Sequence, residues 1–211
     1  MLRILFTIIL FGFFFSSYSQ GAWKEAKEKD GILIYTRTAK NKDLKEFKAH
    51  MSLEVSLDAV AAILTDAKNY PNWVYKLSTA EVLKGTIPGG VWSYYTVDMP
   101  WPLSDRDGVS STRARQEANG KIIITQKSEP NFIGEKEDMV RLLYIDTTWQ
   151  LEKGEDGKVH ITYQSLADPG GLPSWLVNLF LLDGPFETLQ GLRKESKKAA
   201  FAKANLSWIQ K

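Results

Sequence analysis

Between Ser78 and Gln164 the chain offers one strand-like run after another and no helix, and directly afterwards its apolar spacing changes period. That switch decides most of what the chain can fold into. The runs are Thr79 to Gly85, Val91 to Met99, Val109 to Glu117, Lys121 to Lys127, Val140 to Leu151 and Val159 to Leu166. Asn119-Gly120 and Asp156-Gly157 are hairpin signals, because the tightest turns need residues that tolerate positive φ. Successive hairpins pair their strands antiparallel. Past Asp168-Pro169-Gly170-Gly171, the residues Leu172, Trp175 or Leu176, Leu179, Leu182, Phe186 and Leu189 recur every three or four positions, which predicts one apolar face of a long helix. Pro173 is tolerated in its first turn, whereas Gly184-Pro185 predicts a kink or interruption.

The first part of the chain supplies shorter pieces. Trp23 to Lys29 reads as a charged, amphipathic helix ended by Asp30-Gly31, and Ile32 to Thr38 as a strand. From Lys45 to Val55 the pattern alternates: Phe47, Ala49, Met51, Leu53 and Val55 share one face, and Glu46, Lys48, His50, Ser52 and Glu54 share the other. Ser56 is placed to cap a helix over Ala59 to Ala67, with Asp58 in its first turn. Asn69 to Tyr75 predicts a second short helical segment around Pro71 and Trp73. A single antiparallel sheet of this size must curl and bury one face, and the C-terminal helix is the element large enough to cover it. The expected class is α+β, with space between a curved sheet and the helix it grips.

Composition narrows the chemistry. With 27 basic against 25 acidic residues and a net charge of +2, the chain lacks the basic excess that nucleic acid selects, so no nucleic-acid partner is expected. It has no cysteine and two histidines, His50 and His160, which leaves little from which to build a catalytic triad or a metal cage, and neither metal nor cofactor is expected. Both histidines fall on polar strand faces. Aromatic side chains are plentiful, with 7 Trp, 8 Tyr and 10 Phe to fill a core or line an apolar cavity. Residues 1–20 open with Arg3, run from Ile4 to Phe15 without a polar side chain beyond Thr7, and dissolve into Ser16, Ser17, Tyr18 and Ser19. This is the pattern of a signal peptide cleaved after Ser19, and it predicts export to a periplasm or the outside, with residues 20–211 as one domain.

The stretch Met99-Pro100-Trp101-Pro102-Leu103-Ser104-Asp105-Arg106-Asp107 resembles the PWPLSxRD signature of START domains, the lipid-transfer domains related to steroidogenic acute regulatory protein. The segment Asp66 to Trp73 and the helix after Leu172-Pro173-Ser174-Trp175 are similar to that family's aspartate, Tyr-x-x-Trp region and gating helix. The resemblance implies a helix-grip fold, a curved antiparallel sheet around a long C-terminal helix with an internal apolar cavity. It also implies one lipid or other apolar small molecule as ligand, with transient membrane contact.

Within that frame, strand parity places Phe47, Met51, Tyr95, Val97, Leu143, Ile145, Thr147, Trp149, Val159, Ile161 and Tyr163 inward, as core or ligand contacts, and Trp73, Leu176 and Phe180 are equally open between the two roles. Trp101, between two prolines, must lie in a loop. It is either a packed turn or, by the resemblance, a gate that meets the helix at Trp175. The Ser104 to Asp107 cluster reads first as turn capping, with its carboxylates paired to the neighbouring Arg106, and second as the source of a charge, Arg106, that reaches a lipid head group. Some members of the resembling family carry a tunnel arginine five residues after the signature aspartate; here that position is Thr112, with Arg113 and Arg115 expected to face solvent.

The leading expectation is therefore a non-enzymatic carrier. One alternative is a helix-grip enzyme of the polyketide cyclase or hydrolase type, whose base would be Asp98 or Asp146. Another is a non-binding envelope interaction domain with its cavity filled by side chains.

Overall fold

The computed structural model describes residues 21–40, 44–168, 172 and 179–210. The expected signal peptide, Trp175 and Leu176 lie outside the described residues, as does the side chain of Phe180. Among the described residues ten strands form one sheet: β1 (Lys24–Lys29), β2 (Ile32–Thr38), β3 (Lys45–Leu53), β4 (Leu77–Thr86), β5 (Gly90–Val97), β6 (Arg106–Gln116), β7 (Ile122–Ser128), β8 (Val140–Arg141), β9 (Ile145–Lys153) and β10 (Val159–Ala167). Their order across the sheet is β1-β2-β3-β10-β9-β7-β6-β5-β4, antiparallel throughout, with the two-residue β8 added parallel to β6. This is the curved antiparallel sheet expected from the runs of hairpins.

Two sequence expectations are corrected. Residues Trp23 to Lys29 are not a helix; Lys24–Lys29 pair with β2. Asp30 and Gly31 both have positive φ, at 52° and 72°, so they form the two-residue hairpin turn and not a helix stop. The run Val140 to Leu151 is not one strand. It breaks after Arg141, and Leu143, expected inward, is 62% exposed in the interruption.

The remaining elements close one end of the inner face. Ser56 Oγ accepts the Ala59 N–H at 3.1 Å and caps α1 (Leu57–Thr65), followed by a 3₁₀ segment, Ala67–Asn72. A π-helical turn, Leu179–Asp183, changes to α2 (Gly184–Glu195) where Gly184-Pro185 predicted an interruption, and a short α3 (Ala199–Ala202) follows. Phe186, Leu189 and Leu192 of α2 are buried with Val60, Ile63 and Leu64 of α1 in one core with Met51, Leu53, Ile122, Leu151 and Ile161 of the sheet. Gly191 permits α2 to approach this closely, since a Cβ there would stand 2.2 Å from the Trp73 carbonyl oxygen. Apolar side chains fill the α1 end of the sheet, and at the other end the inner face stays open.

Candidate functional site

The open part is a cavity of about 740 Å³, within the range of pockets that enclose a single ligand. The interior is therefore not filled by the protein's own side chains. One wall is a chain of rings. Trp149 on β9 stacks on its register partner Tyr163 on β10, with centroids 3.7 Å apart and planes 3° from parallel. Phe47 meets Tyr163 edge-on at 4.8 Å, Trp73 meets Trp149 at 6.1 Å, and Tyr70 meets Trp73 at 5.6 Å. Strand parity produces this wall, because alternate residues of adjacent strands point to the same side.

The lining contributed by β5, β6 and β7 is more polar. Tyr95 and Val97 of β5 stand opposite Gly108 and Arg106 of β6, and Ser110 and Gln126 continue the surface towards Thr147, which hydrogen-bonds Ser165 at 2.7 Å. Arg106 is 5% exposed. Its Nη1 donates to the Ser104 carbonyl and its Nε has no partner. Burial pulls its guanidinium down from the usual range and Asp105 offsets part of that effect. Tyr95, also buried, has its phenol pushed upward by burial, so it stays protonated; its hydroxyl too has no partner.

Asp107 does not pair with Arg106. Neighbours on a strand point to opposite faces, and Asp107 instead receives Arg141 Nε and Nη2 on its two carboxylate oxygens, at 2.9 Å each. Arg141 also donates to the carbonyls of Pro130, Ile133 and Gly134. Asp105 caps the Met99 N–H at 2.8 Å, in line with the turn-capping reading.

Of the expected ligand contacts, Phe47, Trp73, Tyr95, Arg106, Ile145, Trp149 and Tyr163 border the cavity. Met51 and Thr112 do not: Met51 lies at the end of the inner face that α1 fills, and Thr112 is covered by Gln126, whose Nε2 also donates to Tyr70 Oη at 2.9 Å. Ser110 and Ala114 share the inward face with Thr112, and Arg113 and Arg115 are exposed. Trp101 is 92% exposed and does not border the cavity, so the packed-turn reading fails; its loop runs from Met99 to Arg106, both of which do. Leu142, Gln126 and Tyr70 also line the cavity and were missed. Leu142 follows the strand break that the sequence conceals.

The enzyme alternative finds no base where it was expected, because Asp98 is exposed and Asp146 lies outside the lining, next to Lys127. Neither histidine lines the cavity. Among the described residues, no group of three or more His, Asp or Glu side chains is placed to hold a metal ion.

Comparison with known proteins agrees with this geometry. The START domain profile matches residues 17–200. A STAR-related lipid transfer protein of Xanthomonas axonopodis superposes with a TM-score of 0.77 at 32% identity, covering 83% of this chain and 99% of that one. An uncharacterized protein of Pseudomonas aeruginosa is 31% identical over 83% of this chain and 87% of its own length. The phosphatidylcholine transfer protein of Rattus norvegicus is 28% identical over 74% of this chain and 75% of its own.

Proposed function

The chain belongs to the START domain family, and from that premise we propose that it is an exported carrier which holds one lipid or other apolar molecule in its internal cavity and moves it without chemical change. The observation that carries this reading is the cavity of about 740 Å³ with its aromatic wall from Tyr70 to Phe47. Taking apolar ligand surface out of water there contributes about 25 cal/mol per Å². Export is supported by the apolar, cysteine-free leader at residues 1–20.

Access is proposed to pass the Trp101 loop. An indole 92% exposed, on a loop whose two ends border the cavity, supports brief contact with a membrane surface there. The test is native mass spectrometry of the protein purified from its own envelope, followed by organic extraction. A co-purifying lipid class is the expected result. A clean apo mass that persists after incubation with mixed lipids would overturn the carrier reading.

A further inference from the structure

We propose that the ligand is an amphiphile whose head is an anionic oxygen group, a carboxylate or a phosphate, held by Arg106 with Tyr95 as companion donor. This inference rests on the carrier reading and names the class of its cargo.

Among the described residues five charged side chains are buried: Glu46, Arg106, Asp107, Arg141 and Glu195. Four have counter-charges. Glu46 pairs with Arg37 at 2.6 Å, Asp107 with Arg141 at 2.9 Å, and Glu195 with Lys198 at 2.6 Å. Arg106 forms no ion pair among the described residues, and it is the one of the five that borders the cavity. Of the two carboxylates beside it in sequence, Asp107 is paired with Arg141, and Asp105, which accepts the Met99 N–H, offsets part of the effect of burial from a distance without forming an ion pair. A guanidinium carries five N–H donors and does not lose its charge in proteins, so a buried one without a counter-ion is expensive. Burying it against open cavity space leaves the counter-ion to be supplied by the ligand.

Unpartnered polar atoms point to the same chemistry. Arg106 Nε, Tyr95 Oη and Trp73 Nε1 are buried without a hydrogen-bond partner, and all three side chains line the same cavity. All three can donate, and two of them can only donate. Buried polar groups are ordinarily satisfied; Trp73 belongs to the ring wall, and Arg106 and Tyr95, together on β5 and β6, are the two placed to share one acceptor group of a ligand. Tyr95 and Arg106 are diagonal neighbours on the inner face of adjacent strands. Gly108 makes room for that arrangement, because a Cβ there would stand 2.4 Å from the Tyr95 hydroxyl. The acidic content of the wall is low: among the described residues Asp168 is the one carboxylate that borders the cavity, and Lys45 borders it too. A sterol or alcohol could accept one of these bonds, but it would leave the guanidinium charge unbalanced.

The experiment compares matched pairs on the full chain after delipidation: palmitate against 1-hexadecanol, and dioleoyl phosphatidic acid against dioleoylglycerol, each displacing a fluorescent apolar probe. The parent is expected to bind the anionic member about ten- to a hundredfold more tightly, the size of a charge-assisted hydrogen bond. Arg106→Met, which keeps most of the apolar stem, is expected to bring that ratio close to one, and Arg106→Lys to restore part of it. The pair with the larger ratio identifies carboxylate or phosphate as the head.

Equal binding within both pairs by the parent overturns the proposal, as does a ratio that Arg106→Met leaves intact. If no compound of either charge displaces the probe, the carrier reading itself falls. Should Arg106→Met fail to fold, the parent ratio and its reduction in Tyr95→Phe decide the matter.

Discussion

Arg106 and Arg141 sit on paired strands, β6 and β8, and are buried to nearly the same extent, at 5% and 6% exposed, yet the fold treats them oppositely. Arg141 has a bidentate carboxylate and three backbone carbonyls. Arg106 has one carbonyl and an empty Nε. Burial of a charge therefore does not by itself mark a site. What separates a structural fastening from a place that awaits a ligand is whether the protein has completed the shell.

The largest effect is expected at Arg141. Arg141→Met leaves Asp107 buried without its counter-ion and is expected to cost about 3 to 5 kcal/mol, read as a fall in the denaturant midpoint at unchanged slope. A midpoint like that of the parent would show that Asp107 finds water or another donor. The double variant Asp107→Leu with Arg141→Met removes both charges and is expected to recover about half of that loss or more, because replacing a whole buried pair is often near neutral. Arg106→Met acts from the other side: it orphans no carboxylate and removes an unpaired buried charge, so it is expected to leave stability unchanged or raise it by up to about 2 kcal/mol. A loss as large as that of Arg141→Met would make Arg106 a structural residue as well. The smallest effect on folding is expected at Trp101→Ala, within about 0.5 kcal/mol as for other exposed positions. The same variant should alter the rate of lipid exchange between vesicles, and an unchanged rate would remove the Trp101 loop from the access route.

The sequence disclosed the inner face of the sheet well and its edges poorly. In β3, Phe47, Ala49, Met51 and Leu53 alternate with polar residues and are all buried, so period alone identified the buried face. The outermost strand, β1, carries Lys24, Glu25, Lys27, Glu28 and Lys29, mostly exposed, and leaves no alternation to read. An edge strand of this kind is held by backbone pairing and kept charged, and its Asp-Gly turn has the same letters as a helix stop.

The Asp107–Arg141 pair was hidden for a different reason. Its partners are 34 residues apart and are brought together by a two-residue strand whose brevity no pattern reveals. Arg106 itself was legible as a candidate charge, but its lack of a counter-ion is a property of three-dimensional neighbours alone. Tyr70 and Gln126 line the cavity through a hydrogen bond between distant segments, a juxtaposition that strand parity does not carry.

The ring wall has a spectroscopic consequence. Among the described residues two tryptophans, Trp73 and Trp149, form part of the cavity lining, while Trp101 stands in water on the loop. Filling the cavity changes the surroundings of the first two, and movement of the loop changes those of the third, which an aqueous quencher can silence selectively. Occupancy and the opening proposed for the loop would thus be carried by different chromophores of the same unlabelled protein, and their order in time followed by its own emission.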